Sequence, residues 1–284
     1  MTTSHEIAIV SGASTGMGAA TARELARRGL HVLAGVRREQ DGDAIRAAGI
    51  EPVILDITEP DQIAALAARI GDRPLRALVN NAGVAVNAPV ETLPMTEWRR
   101  LFEVNLFGHI AMTQALLPAL LRARGRIVNI SSVGGRIAMP AYGAYAGSKF
   151  AFEAVSDALR RELAPHGVQV VVVEPGGVRT EMNERGAATA GRLAADMTGE
   201  QRSRYGDLMR AVVSHADAFT RAGRTADFAA QVIARAATVR NPRTRYTIGR
   251  DAALMTRLAR ILPDRALDRL TAANLRPHFP RPAV

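Results

Sequence analysis

Three side chains stand at a spacing that suits proton transfer. Ser131-Ser132 closes the apolar run Arg126 to Ile130, and Tyr145 and Lys149 follow thirteen and seventeen residues after Ser132. Tyr145 and Lys149 are at i and i+4, so on a helix they share one face. An ammonium near a phenol favours the phenolate and lowers its pKa from about 10 toward working pH. A hydroxyl from Ser132 then orients a carbonyl or alcohol oxygen beside Tyr145, which makes an acid/base site for moving a proton on an alcohol. A lone Y-x-x-x-K pair is common as a solvated helix face. Here it gains weight from what stands at the ends of neighbouring apolar runs.

Ser11-Gly12-Ala13-Ser14-Thr15-Gly16-Met17-Gly18 follows the first such run. Glycines allow a tight turn and close backbone approach, and a helix N-terminus offers free N–H groups to a pyrophosphate. The spacing G-x-x-x-G-x-G differs from the usual dinucleotide fingerprint, and a purely structural turn is the alternative. Val36-Arg37-Arg38 ends the second run, where an acidic residue would favour NAD. Two guanidiniums there suit a 2′-phosphate, so NADP(H) is preferred and NAD(H) possible. A solvated arginine pair is the alternative. Asp56-Ile57 ends the third run, and the Asp56 carboxylate can accept from an adenine amino group. Taken alone, an N-terminal cap for the next helix is the better account of it. Asn80-Asn81-Ala82-Gly83 ends the fourth run, with small residues that let backbone approach a ribose or simply make a tight turn.

These residues need a scaffold that brings the ends of successive strands together. Glu6 to Val10, His31 to Val36, Pro52 to Leu55, Arg76 to Asn80, Arg126 to Ile130 and Val168 to Val173 read as strands. Helical patterns fall between them, at Gly16 to Arg28 with Gly29 as C-cap, from Thr58-Glu59-Pro60-Asp61, from Thr96 to about Leu121, and from Tyr142 to Leu163. Apolar strands alternating with helices predict an α/β fold, a three-layer doubly wound parallel sheet of Rossmann type, which binds ligands at the carboxyl ends of its strands. Residues 179–224 are polar but carry recurrent Met, Leu and Val, and predict a helical substrate lid. Asp227 to Thr238 reads as a helix and Tyr246 to Ile248 as a last strand. The domain is expected to span 1–250, followed by a C-terminal helical extension at 251–284 whose tail, RPHFPRPAV, is loose.

The chain has 284 residues, 48% of them hydrophobic, a net charge of +10 and no cysteine. A chain this long buries about three quarters of its unfolded surface and needs no staples. Without cysteine there is no disulfide, thiolate zinc site or cysteine nucleophile, and no metal is expected. No apolar run approaches a membrane span, and the N-terminus lacks a signal peptide's basic and apolar regions, so a cytoplasmic location is expected. The basic residues are 36 Arg and one Lys, scattered and without interleaved aromatics, so nucleic acid is not an expected partner. The single Lys is Lys149.

Gly12, Gly16, Gly18, Asp56, Asn81-Ala82-Gly83, Asn105, Ser132, Tyr145, Lys149 and Pro175-Gly176-Gly177-Val178-Arg179-Thr180 together resemble the short-chain dehydrogenase/reductase family, in its order and spacing over residues 5–180. The resemblance implies that Tyr145 is the acid in reduction and the base in oxidation. It implies that Lys149 holds the nicotinamide ribose and poises Tyr145, and that Ser132 bonds the substrate oxygen. Asn105 would support a water linking Lys149 to solvent, and Val178 and Thr180 would anchor the carboxamide. By the same resemblance Ser14, Thr15, Met17, Pro175 and Gly176 belong to the cofactor cradle.

Tyr246-Thr-Ile-Gly-Arg-Asp-Ala, with Pro263, is similar to members grouped with 17β-hydroxysteroid and retinol dehydrogenases. That implies a lipophilic alcohol or ketone substrate, although ordinary lid packing gives the same methionine pattern. A catalytically silent NADP(H)-binding sensor or scaffold is the alternative reading. By analogy the helices at 96–121 and 145–163 form a homodimer or homotetramer contact through Leu116, Leu117, Leu120, Phe150, Phe152 and Val155, unless these are core.

Overall fold

The computed structural model describes residues 6–280. Its centre is a seven-stranded sheet in the order β3-β2-β1-β4-β5-β6-β7, with every neighbouring pair parallel. The strands are β1 (Ile7–Val10), β2 (His31–Val36), β3 (Ile50–Ile54), β4 (Leu75–Asn80), β5 (Arg126–Ile130), β6 (Gln169–Pro175) and β7 (Arg245–Ile248). The chain leaves β1 for β2 on one side and later returns to β4 on the other. The crevice opens at this reversal, outside the carboxyl ends of β1 and β4.

Alternation of side chains along β1 feeds two cores. Ala8 and Val10 face one layer with Ala19, Ala22 and Leu25 of α1 (Gly16–Arg27) and Ile233 and Ala237 of α9 (Ala226–Thr238). Ile7 and Ile9 face the other with Leu66 and Ile70 of α3 (Pro60–Ile70) and Met112, Leu116 and Leu120 of α5 (Gly108–Ala123). All four β1 side chains are buried, which is why the strand reads as a continuous apolar run.

Three differences from the sequence expectation have physical causes. The helix α2 (Glu39–Ile45) was not foreseen, because its seven residues include Gly42 and carry no apolar period. Strand β3 begins before Pro52, which it tolerates because β3 is an edge strand paired only with β2. The helix expected over 96–121 is α4 (Met95–Phe102) followed by α5, joined by a π-helical turn over Glu103–Phe107 with Asn105 at its centre. Contrary to the expectation that no apolar run is long enough, Met95–Ala123 is by length and composition long and apolar enough to cross a membrane; half of its most apolar 18-residue stretch is buried inside the fold. Helix α6 (Gly143–Leu163) matches its expected span within one residue.

The expected lid is two helices, α7 (Glu181–Ala195) and α8 (Gly199–Ala222), the second begun by a Thr198–Gln201 capping box. Both ends of this segment are pinned at one place, where Arg224 N–H donates to Gly177 O and Arg179 N–H to Arg224 O. The C-terminal α10 (Arg250–Ile261) and α11 (Asp264–Leu275) return to the lid, with Leu275 buried against Ala211 and Val212. Of the tail expected to be loose, Arg276–His278 forms a 3-10 turn and residues 281–284 lie outside the described residues.

Candidate active site

The β1–α1 turn shows why glycine stands where it does. A Cβ on Gly18 would lie 2.1 Å from Gly12 O and 2.5 Å from Asn81 Nδ2, so α1 can approach this turn only as glycine. Gly12 has φ +64° and sits against Ala82, and Gly16, with φ +56°, faces Thr180. Thr15 closes the helix start with no side-chain cap, and the first turn carries no acidic residue. Uncapped N–H groups and an uncompensated dipole end are what a phosphate needs. Ser11 orders the facing turn, its hydroxyl accepting from Asn81 N at 3.0 Å and Ala82 N at 3.1 Å.

At the end of β2, Arg37 and Arg38 are both exposed, but they are not equivalent. Arg38 donates to both Asp41 oxygens at 2.8 Å, while Arg37 holds no ion pair among the described residues. Asp56 Oδ1 accepts from Thr58 N at 3.0 Å and Thr58 Oγ1 at 2.8 Å, closing the turn before α3 rather than capping it at Glu59. Ile57 is core, against Gly108.

The π-helical turn carries Asn105 into the interior. Its Oδ1 accepts from Val84 N at 2.9 Å; its Nδ2 donates to Val84 O at 2.9 Å and Ser148 Oγ at 3.1 Å. Asn105 thus ties the turn after β4 to helix α6.

Ser132, Tyr145 and Lys149 line one cavity of about 220 Å³, together with Met17, Asn81, Gly83, Pro175, Gly176, Val178 and Thr180. Ser14, Thr15, Gly12, Gly16, Gly18, Ala82, Asn105, Arg37, Arg38, Asp56 and Ile57 do not line it; the last four belong to its β2 and β3 flank. A Cβ on Gly134 would be 3.4 Å from Ser132 Oγ and 3.2 Å from Tyr145 Cε1, which puts hydroxyl and phenol at one spot. Lys149, 4% exposed, donates from Nζ to Ile130 O at 2.9 Å and lies 5.7 Å over the Phe152 ring.

The expected lowering of the phenol is not what the site shows. Burial raises the Tyr145 phenol, partly countered by Ser132, and burial also pushes the Lys149 ammonium down to about 8, against the Glu153 carboxylate. Burial penalises the charged form of each group.

Several residues of the site carry no motif. His109 is fully buried, donating from Nε2 to Ala82 O at 2.8 Å and stacked on Phe152; burial and the Lys149 charge push it down to about 3, so it is neutral. Tyr142 faces the cavity beside Tyr145, its phenol pushed up to about 12 by burial. The outer wall comes from the lid and C-terminal helices through Met182, Phe219, His215, Met255 and Asn274. Only the apolar recurrence in the lid could have signalled part of this wall.

Of the helix residues offered for subunit contact, Leu116, Leu120 and Phe152 are core. The exposed large apolar residues on these helices and their π-helical join are Met95, Phe107, Leu121 and Phe150.

The family model described as short chain dehydrogenase matches residues 6–190. Retinol dehydrogenase 5 of Mus musculus is 37% identical, over 96% of this chain and 89% of its own length. An NADPH-dependent 3-dehydrocapnine reductase of Ornithobacterium rhinotracheale is 31% identical, over 95% and 97%. The crystal structure of a short chain dehydrogenase from Burkholderia cenocepacia in complex with NADP superimposes with a TM-score of 0.73 at 27% identity, over 95% of this chain and 97% of that one.

Proposed function

The chain belongs to the short-chain dehydrogenase family of NAD(P)-dependent oxidoreductases, and we propose that it interconverts a carbonyl and an alcohol, preferring NADP(H) and accepting NAD(H). The observation that carries this reading is one cavity lined by Ser132, Tyr145 and Lys149 together with Met17 from the glycine turn at the start of α1. The uncapped start of α1 suits the pyrophosphate, and Arg37, which has no ion pair among the described residues, suits a 2′-phosphate. When bound, the cofactor supplies or takes up the hydride.

The chain's own part is orientation and proton movement. Ser132 Oγ holds the substrate oxygen; Tyr145 gives its phenolic proton to that oxygen in reduction and takes it back in oxidation. Lys149 places a positive charge under this exchange and limits the cost of the phenolate. Asn105 fixes the turn that carries Gly83 against the site. Met17, Ile137, Met139, Met182, Phe219 and Met255 on the cavity wall support a lipophilic substrate body. Cytoplasmic residence, and a homodimer or homotetramer built on the faces that expose Phe107, Leu121 and Phe150, belong to the same reading.

A panel of ketones, aldehydes and secondary alcohols, followed by NADPH absorbance, tests the reaction. Tyr145→Phe is expected to lower kcat by about 10²- to 10⁴-fold with NADPH binding retained. Near-native rates in that variant would reject the acid/base assignment. Absence of turnover with bound NADPH would favour a sensor or scaffold.

A further inference from the structure

One turn of α6 beyond Lys149, Glu153 is 4% exposed and gripped by two guanidiniums. Its Oε2 lies 2.9 Å from Arg136 Nη2 and 3.0 Å from Arg245 Nη2. Arg136 and Arg245 also hold the buried Glu174, with Nε to Oε1 distances of 2.8 and 3.4 Å, and Arg245 reaches Asp157 at 2.8 Å. The cluster joins α6, the loop after Ser132, β6 and β7. Asp157 also pairs with Arg160 at 3.2 Å, so three carboxylates meet three guanidiniums and the Glu153 carboxylate is held in place. Lys149 and Glu153 stand at i and i+4 on α6, both buried, so they share one helix face. No direct ion pair joins Lys149 to Glu153, since Nζ donates to Ile130 O instead. The influence between them is through charge.

We propose that Glu153, clamped by Arg136 and Arg245, is a positioning residue for the reaction: its fixed carboxylate keeps Lys149 protonated and so sets the highest pH at which the site moves protons. The surroundings of Lys149 leave this role to Glu153. From α5, His109 is neutral; on α6 itself, burial holds Tyr145 as the phenol. Asn105 and Ile130 present uncharged groups. Arg136 and Arg245 are engaged by Glu153, Glu174 and Asp157. Burial raises the Glu153 carboxyl, and Ser131, Arg136 and Arg245 pull it back toward the charged form. Glu153 in turn is the carboxylate that opposes the depression of Lys149.

The inference rests on the assignment of Lys149 above, but its test needs neither cofactor nor turnover. The chain has one lysine, so lysine labelled with carbon-13 at Cε gives one resonance, and its pH titration in the full chain reports Lys149 alone. Glu153→Gln is expected to lower the midpoint by about one pH unit, the effect of losing a nearby opposite charge. Arg245→Gln removes a competing cation and is expected to raise it. A purely structural cluster would give no opposition of sign. Midpoints that stay put, or that move together, overturn the proposal; if Glu153→Gln does not fold, the sign in Arg245→Gln decides. The falling limb of the pH–rate profile should shift with the midpoint. A Tyr145→Phe variant with near-native rates would sink the reaction assignment while leaving these shifts untouched.

Discussion

Asn105→Ala separates what Asn105 holds from what it is expected to do in chemistry. The wild-type amide satisfies both backbone groups of Val84 at 2.9 Å and one side of Ser148 at 3.1 Å. Truncation leaves the Val84 N–H and C=O without partners in a partly buried turn. An unsatisfied buried polar group costs about 1–3 kcal/mol, and partial burial favours the lower end, so the two together cost about 2–4 kcal/mol. For a chain of this size that corresponds to a Tm lower by about 4–12 °C. The turn also carries Gly83 on the cavity wall, so kcat and NADPH affinity are expected to fall with stability. Thermal melts with and without NADPH, beside steady-state kinetics, measure both. A Tm within about 2 °C of wild type would refute the reasoning, because Val84 would then have found water or other partners at no cost.

Arg37→Ala is expected to weaken NADPH by about 10- to 100-fold, the worth of a charge-assisted contact, with a smaller effect on NADH. Calorimetric titration with both cofactors checks it, and equal losses would remove the 2′-phosphate assignment. The pH dependence follows from Lys149, whose ammonium is pushed down by burial to about 8, against the Glu153 charge. A lysine with a lowered pKa is charged below that value and neutral above it. The reductive kcat/KM should therefore fall as pH rises through about 8, and a profile flat to about pH 10 would contradict it.

The fold was legible because each central strand is buried on both faces and reads as an unbroken apolar run. Where that condition fails, the reading fails. Strand β3 has a Pro and an exposed Ile54 at the sheet edge, and its start was placed two residues late. Helix α2 has no apolar stripe and was missed. The site was legible where backbone geometry demands a residue type, as at Gly18, or where chemistry does, as at Tyr145 and Lys149. It was illegible where function comes from tertiary neighbours. Nothing local marks Arg136 or Glu153 as parts of one charge pattern, since Arg245 and Glu174 reach it from distant strands. The lowered phenol failed for the same reason: spacing gives proximity, but only the packed structure gives the burial that opposes it.

The single lysine can be argued further, because this chain uses arginine at every other basic position apart from histidine. Arginine already serves in the adjoining cluster, at Arg136 and Arg245, so charge alone does not explain the choice at residue 149. The slot does. Nζ has one protein acceptor, Ile130 O at 2.9 Å, and lies over Phe152. A Cβ on Gly83 would come within 4.0 Å of it. A planar guanidinium needs more width and brings five N–H donors to a place with one acceptor. It also stays charged at any working pH, so it cannot respond to the phenol as an ammonium near 8 does. Lys149→Arg is therefore expected to keep the charge yet lose at least about 10²-fold in kcat, the low end for a proton-transfer group. Overpacking should cost about 1–3 kcal/mol of stability. Lys149→Met, which fits the slot without charge, should fold better than Lys149→Arg and be no more active. If Lys149→Arg instead keeps kcat within about tenfold while Lys149→Met is inactive, positive charge alone suffices, and the argument from the slot falls.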